Sequence, residues 1–324
     1  MKIHRKTCQG VLLLSTGSKV AITKIAAQST RSRGIVLHAS DHSPNVPTRH
    51  FADTFTLFDT QDRTQWIDDI LDYCTKHSIG LVIPTRHDDL PHLVAAKERF
   101  AAAGIGLSLS SAQTIRICTQ KLDTFKFLKN NDIPTPETTI KKELKTHSLA
   151  SAFPLFAKPP AGASGAGATI VRNKSELESI PNDWILQSVA TGQEYTVNIY
   201  LDRQGTPLCS IPHARLCVES GEVAQARTKR IPKLIAECER ICRALPQAQG
   251  ILNIQAFYDL HDNTFQVIEI NPRIGGGFPL AHQAKGTYIE WLCQEWLDHK
   301  QVEPFERWTE SLLMMRYRDA IFEL

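Results

Sequence analysis

Gly250-Ile-Leu-Asn-Ile-Gln-Ala-Phe-Tyr258 and Thr264-Phe-Gln-Val-Ile-Glu-Ile-Asn-Pro-Arg273 decide how this chain is read. Both segments alternate with period two, and His261-Asp-Asn263 between them has turn chemistry, so the pair predicts a β-hairpin. Successive strand residues point to opposite faces. Phe265, Val267, Glu269 and Asn271 are therefore expected on one face, and Asn253, Gln255 and Phe257 on one face of the partner strand. Pairing Leu260 with Thr264 sets Gln255 opposite Glu269 and Asn253 opposite Asn271. Opposed residues have Cβ atoms about 4.5–5.5 Å apart, so Gln255, Glu269 and Asn271 can present oxygen ligands to one point. An oxygen-only set with a single carboxylate suits Mg²⁺ that draws the rest of its shell from water and substrate phosphates. The plain alternative is a hairpin with its polar face in water, and a one-residue slip would scatter the set.

Pro272 ends the second strand, Arg273 adds a fixed cation, and Gly275-Gly-Gly277 opens backbone N–H groups without side-chain obstruction. Cation, metal ligands and open amides at Gly275 and Gly276 together favour phosphates, although a triple glycine alone is also a plain flexible turn.

Further upstream, Phe153-Pro-Leu-Phe-Ala-Lys158-Pro-Pro-Ala-Gly162-Ala-Ser164-Gly165-Ala-Gly167-Ala ends an apolar strand on a lysine and continues as a small-residue loop. That arrangement brings a point charge and donor amides to a polyphosphate. It is no Walker loop, since no Gly-Lys-Ser/Thr closes it, and its glycine spacing is not a dinucleotide fingerprint. An ordinary loop after a snorkelling lysine is the alternative. Trp184-Ile-Leu-Gln187-Ser188-Val189-Ala-Thr-Gly192-Gln-Glu194 reads as two strands joined by a short connection, able to offer backbone groups to a flat heterocycle, with Glu194 for ribose hydroxyls. His213, Arg215, Arg227, Lys229, Arg230 and Lys233 concentrate positive charge. Lys229, Arg230 and Lys233 read as a solvated face, whereas Arg215 and Arg227 are candidates for clamping a substrate carboxylate or γ-phosphate, because guanidinium matches planar oxyanions bidentately.

The rest of the chain supplies a frame. The 324 residues, 42% apolar and 22% charged, suit a soluble globular protein, and the length suggests two or three domains at roughly 100–200 residues each. Lys plus Arg number 37 against 34 Asp plus Glu, too even a balance to imply a nucleic-acid or membrane partner. No run approaches the ~18 apolar residues of a membrane span. The apolar stretch near the N-terminus is too short for a signal peptide, and the eight scattered cysteines read as reduced core thiols, so a cytoplasmic location is expected. Cys238 and Cys242 lie one helical turn apart, but no second pair at zinc spacing accompanies them.

Before residue 110, β-rich runs at 11–15, 35–39, 55–58, 81–84 and 105–109 alternate with helical segments such as 65–76 and 90–103, the pattern of a parallel sheet. Helices at 112–117 and 122–130 follow and stop before Ile133-Pro134-Thr135-Pro136. From Thr138 onward strands dominate: 155–158, 168–172, 185–188, 195–201, 208–211, 251–258 and 265–270. Three helices are interspersed, 176–180 with a Ser175/Glu178 capping box, 231–245 and 289–299. The reading is α/β followed by α+β with antiparallel sheets. His87, Asp88 and Asp89 close an N-terminal strand where a substrate pocket could open; Asp88 and Asp89 also read as caps of the following helix.

Taken in order, Lys121 opening Lys-Leu-Asp-Thr-Phe-Lys-Phe-Leu-Lys-Asn-Asn-Asp-Ile-Pro-Thr-Pro136, Ala157-Lys158-Pro159 with its glycine loop, Gln187 through Glu194, Asn253 with Gln255, and Glu269-Ile-Asn-Pro-Arg273 resemble the ATP-grasp superfamily, in particular one synthetase half of the carbamoyl-phosphate synthase large subunit. The resemblance runs from about Gly10 to His299. It implies a Rossmann-like, pre-ATP-grasp domain over 1–110, an ATP-grasp small lobe with a glycine-rich lid over 111–188, a large lobe with the metal site over 189–300, and a tail at 301–324 that it leaves unassigned. ATP with Mg²⁺ or Mn²⁺ is the implied cofactor.

By the same resemblance, Lys121 and Lys158 hold the phosphates under a lid containing Gly162, Ser164, Gly165 and Gly167. Gln187, Ser188 and Val189 meet adenine, Glu194 the ribose, and Asn253 the nucleotide. Gln255, Glu269 and Asn271 bind metal. Arg273, with Lys158 and Arg215, is catalytic, and Arg215, Arg227, Arg273, Gly275 and Gly276 face substrate. Gln187 stands where many relatives carry glutamate. The implied reaction is carboxylate–amine ligation through an acyl phosphate with small-molecule carboxylate and amine or amino-acid substrates. A nucleotide-binding regulatory or scaffold module is the alternative, and carbamoyl-phosphate synthesis as such is not expected without a glutaminase domain or second synthetase half. An oxidoreductase is disfavoured because Ser15-Thr-Gly17-Ser-Lys19 lacks the three-glycine fingerprint. A homodimer is the commonest closed assembly.

Overall fold

The computed structural model describes residues 10–146, 148–160 and 167–323. Gly162, Ser164 and Gly165 fall outside the described residues.

The first unit is a five-stranded parallel sheet of β1 (Gly10–Leu14), β2 (Val36–Asp41), β3 (Thr54–Leu57), β4 (Ile79–Pro84) and β5 (Gly106–Leu107), in the order β3-β2-β1-β4-β5. Every residue of β1 is buried, as expected of a central parallel strand covered on two faces. The helices α1 (Val20–Arg31), α2 (Arg63–Lys76), α3 (Leu90–Ala95) and α4 (Lys97–Ala102) connect the strands. Asp62 caps α2 by accepting from the N–H groups of Thr64 and Gln65, so chain geometry, and not helix propensity alone, starts that helix. The single helix expected over 90–103 is two: Ala96 leaves helical geometry and its N–H turns back to the Leu93 carbonyl. Asp89 occupies the N-cap position of α3, but its side chain makes no capping hydrogen bond, and Asp88 lies before the cap. The strand order reverses between β1 and β4, which opens a crevice at their carboxyl ends.

After α5 (Ala112–Thr119), capped by Ser111, and α6 (Lys121–Asn130) comes a small antiparallel sheet. It contains β6 (Thr138–Ile140), β7 (Leu155–Lys158), β8 (Thr169–Val171) and, after α7 (Lys174–Glu178), β9 (Ile185–Ser188), in the order β6-β9-β7-β8. Asn173, and not Ser175, caps α7. Its side chain accepts from the Glu176 N–H while Glu176 reaches back to the Arg172 N–H, so the capping box lies two residues earlier than the sequence suggested.

The large sheet holds β10 (Gln193–Leu201), β11 (Pro207–Glu219), β12 (Glu222–Thr228), β13 (Gly250–Asp259), β14 (Thr264–Asn271) and β15 (Leu313–Met315), in the order β14-β13-β10-β11-β12-β15. α8 (Pro232–Ala244) covers one face, and α9 (Phe278–Gln283) and α10 (Tyr288–Trp296) pack toward the first unit. One continuous core joins Leu13, Leu37 and Ile83 to Ile211, Phe278 and Tyr288, so the parallel sheet and the large sheet are fused. The small sheet has a separate core around Leu155, Val171 and Leu186. Cys238 and Cys242 are buried free thiols in the α8 core, with burial as the main cause pushing both well above the ordinary thiol range. Among the described residues, no helix is long and apolar enough to cross a membrane.

Candidate active site

The hairpin of β13 and β14 sets Gln255 opposite Glu269 and Asn253 opposite Asn271, but by a different route from the one its sequence suggests. At the tip Asp259 pairs with Thr264, one residue out of step with a Leu260–Thr264 pairing. A β-bulge at Ile268 restores the register beyond it. The bulge also changes faces. Phe265 and Val267 pair with Tyr258 and Ala256 and are buried against α8, so they do not share a face with Glu269 and Asn271 as simple alternation predicts. Ile268 and Glu269 both turn to the opposite face and line a cleft of about 1510 Å³.

That cleft face is built in tiers two residues apart along each strand, about 7 Å per step. Glu194 and Phe257 occupy one tier, Thr196, Gln255, Glu269 and His213 the next, and Asn198, Asn253 and Asn271 the third. Gln255, Glu269 and Asn271 are thus neighbours on one wall. The Asn271 Oδ1 atom is buried and has no hydrogen-bond partner, which fits a hard cation at that position better than it fits a closed polar network. No three His, Cys, Asp or Glu side chains converge into a metal cluster among the described residues. The wall carries a single carboxylate beside the amide oxygens of Gln255 and Asn271, a donor set that suits a hard cation.

Lys158, at the end of β7, lines the same cleft from the small sheet, and Lys121 lines it from the start of α6, whose Leu128 packs into the core of the large sheet. Burial pushes Lys158 down to about 8, with Lys121 adding to the fall and Glu269 opposing it. Burial also lowers Lys121, again against Glu269. Ser188 and Val189 line the cleft, and Gln187 does so from a buried position, donating through Nε2 to Thr138 Oγ1 at 2.8 Å. Ser188 Oγ accepts from the Glu137 N–H at 3.1 Å. Gly167, the one described residue of the expected lid set, has φ +76°, and a Cβ there would stand 3.4 Å from the Trp184 ring.

Several expected site residues are engaged otherwise. Arg215 Nε stands 3.3 Å from Glu194 Oε1, an ion pair too poorly aligned to be a hydrogen bond, and Arg215 also donates to the Gly221 carbonyl. Arg215 therefore sits at the Glu194 end of the sheet. Burial raises the Glu194 carboxyl and Arg215 counters it. Arg227 is exposed on the far side of β12, donating to the Ser311 carbonyl, and does not reach the cleft; alternation along the strand turns it away from its neighbour Ala226. His213 carries no charge near neutrality, because burial and Arg215 push it down to about 3. Asn253 Nδ2 donates to the Arg273 carbonyl at 3.0 Å and so fixes the turn that carries the guanidinium. A Cβ on Gly275 would stand 2.7 Å from Asn253 Nδ2, so close approach, more than open amides, requires that glycine. Arg273 lines the cleft, donates to the Ile274 carbonyl and keeps Nε buried without a partner.

His87 and Asp88 line the cleft at the carboxyl end of β4, as their position suggested, while Asp89 turns inward toward Arg63 at 3.7 Å. Three features escaped the sequence. Lys19, after β1, faces the cleft from the first unit; Glu222 does so from β12; and the tail from Met314 to Ile321 runs along the cleft mouth. Lys19 lies in the short loop Ser15-Thr-Gly17-Ser18-Lys19 at the strand-order reversal, the signal that could have found it.

A model for the ATP-grasp domain matches residues 118–277, and one described as PylC-like, N-terminal domain matches residues 11–108. Residues 118–277 are an ATP-grasp domain. The sequence is similar to D-alanine–D-alanine ligase A of Bacillus cereus, 34% identical over 122 residues that cover 34% of this chain and 40% of that protein. It is also similar to 3-methyl-D-ornithine–L-lysine ligase of Methanosarcina barkeri, 22% identical over 84% of this chain and 70% of that one. The carbamoyl phosphate synthase large chain of a Thermoanaerobacter species is 24% identical over 74% of this chain and 24% of its own length. The chain thus spans 40% of the first ligase it matches. The ATP-grasp architecture recurs in N5-carboxyaminoimidazole ribonucleotide synthetase of Thermotoga maritima, with a TM-score of 0.69 at 19% identity, covering 92% of this chain and 78% of that one.

Proposed function

We propose that the protein is an ATP-dependent carboxylate–amine ligase that works through an acyl phosphate. The observation that carries this reading is the oxygen set Gln255, Glu269 and Asn271 lining one cleft with Lys158 of the small sheet, Lys121 of α6 and Arg273. In this reading Gln255, Glu269 and Asn271 hold a divalent cation. When bound, it neutralises phosphate charge.

A carboxylate oxygen of the acid substrate attacks the γ-phosphorus of ATP, the bond to the bridging oxygen breaks, and ADP leaves. The amine nitrogen then attacks the acyl carbon, the bond from that carbon to the phosphate oxygen breaks, and phosphate leaves with the electron pair as the amine loses its proton. Such chemistry needs positioning and charge stabilisation more than a nucleophilic side chain. Lys121 and Lys158 orient the triphosphate, Arg273 stabilises charge on the moving γ-phosphoryl group, and Ser188 and Val189 border the base. Arg215 acts by holding Glu194, which faces the ribose. D-alanine–D-alanine ligase and 3-methyl-D-ornithine–L-lysine ligase join amino acids by name, and their similarity supports amino acids as the substrate class here.

ADP release with mixed carboxylate and amine pools, in wild type and Arg273→Ala, tests the proposal. Release that needs both pools and is lost in the variant is expected; nucleotide binding without release in any pool would favour the regulatory module.

A further inference from the structure

After β15 the chain leaves the large sheet and crosses to the first unit, held at two points. At the near point Arg316 donates from its backbone N–H to the Ala224 carbonyl at 2.9 Å, from Nη1 to Glu222 at 3.0 Å and from Nη2 to the Gly276 carbonyl, so it is tied both to β12 and to the glycine turn after β14. At the far point Glu323 Oε1 stands 3.0 Å from His50 Nε2 and 3.6 Å from Arg49 Nη2. Arg49 and His50 belong to a short helical turn, Pro47–His50, that is seated on the loop after β1. Thr48 Oγ1 there donates to the Gly17 carbonyl at 3.0 Å and lies 2.7 Å from Thr16 Oγ1. The segment therefore runs from the glycine turn of the large lobe to the loop that carries Lys19, across the opening between the two units.

Between its anchors the segment is unpacked. Every residue from 317 to 322 is exposed, Tyr317 by 83% and Phe322 by 92%, yet Tyr317, Arg318, Asp319 and Ile321 line the cleft. Among the described residues, 317–322 make no hydrogen bond to another part of the chain, and their one ion pair is Arg318 with Glu219 at 3.9 Å, between two exposed side chains. A crossing that borders a cavity without burying its side chains is held by its ends, and such segments open at little cost. The two ends are unequal. Arg316 makes three bonds with a side chain 31% exposed, whereas Glu323 is 49% exposed and makes only surface ion pairs, which are weak.

We propose that residues 317–322 form a strap over the end of the cleft nearest the first unit and set the largest substrate admitted there, with Arg316 as the hinge and Glu323 as a latch on Arg49 and His50. The strap stands on geometry alone; that what passes beneath it is substrate deepens the ligase reading and rests on it.

Size-graded acylation of Lys19 tests the strap without turnover. A short acetyl ester and a long-spacer biotin ester of the same leaving group are compared, each rate being taken relative to exposed Lys174 of α7 and located by mass spectrometry. In wild type the long reagent is expected to lag the short one at Lys19. Glu323→Arg, which sets like charges together at the latch, should raise the long-to-short ratio at least about threefold, and Arg49→Glu added to Glu323→Arg should bring it back. Where Glu323→Arg fails to fold, Arg49→Glu alone breaks the same latch from the first unit. Equal rates for the two reagents in wild type overturn the strap, as does a ratio that Glu323→Arg leaves unchanged or that the paired variant does not restore. ADP release then reads the word substrate: release with bulky amino acids relative to release with glycine and alanine should rise at least about threefold in Glu323→Arg. ADP release whose size preference ignores the latch overturns the role in selection. Latch-dependent acylation in a protein that never releases ADP removes the ligase reading and leaves the strap standing.

Discussion

Glu269 on the large-lobe hairpin holds up the charge of Lys158 on the small lobe: burial drives the lysine down to about 8, and the Glu269 carboxylate opposes the fall. The two belong to lobes with separate cores, so their meeting is what defines the cleft. In the folded protein the charged lysine carries a penalty that is fully present below about pH 8 and fades as pH rises toward the ordinary value of 10.5.

A triphosphate reverses that penalty. ADP binding is expected to raise the Lys158 pKa, so binding above pH 8 takes up a proton and affinity falls as pH rises from 8 toward 10. Calorimetry in buffers of different ionisation enthalpy reads the proton directly. Lys158→Met should bind ADP at least about tenfold more weakly and show no uptake. Uptake that persists in the variant would assign the proton to another group.

Glu269→Gln keeps the shape of the metal wall while removing its single carboxylate. ADP release should fall at least about 100-fold, with far-ultraviolet dichroism unchanged. Lys158, deprived of its opposing charge, should titrate lower still, which lysine-selective acylation at pH 7.5 would register as faster modification. Equal modification rates in the two proteins would mean that Glu269 does not act on Lys158.

Gly275→Ala places a Cβ 2.7 Å from Asn253 Nδ2 and must displace the hydrogen bond from Asn253 to the Arg273 carbonyl. A loss of about 1–3 kcal/mol in unfolding free energy is expected, read by urea denaturation. ADP release should fall further than that loss accounts for, because the Arg273 turn shifts. A variant as stable and active as wild type would show that the turn does not depend on this approach.

Much of the architecture was legible because it rests on period and punctuation. The apolar run 11–15 and the alternation around residue 255 mark strands in a parallel and an antiparallel sheet, the first of them observed at 10–14, and Pro134 and Pro136 follow the end of α6. The pairing of Gln255 with Glu269 was legible only in part. The tip is displaced by one residue and the bulge at Ile268 cancels the displacement, and neither a turn nor a bulge leaves a period in the sequence. Arg227 and Arg215 are both arginines on edge-side strands, yet only the sheet's faces separate the one that meets Glu194 from the one that meets solvent. Lys19 and Arg316 lie far apart in the chain, and tertiary pairing of β15 with β12 alone brings Arg316 to Glu222.

Mass spectrometry of reactions containing ATP, pooled carboxylates and pooled amines, run beside the Glu269→Ala variant, tests the ligase claim most directly. The account predicts ADP and phosphate in equal amounts, together with a product whose mass is that of one acid plus one amine less water, all absent with the variant. Cleavage of ATP to AMP, or a product formed equally well by Glu269→Ala, would contradict it.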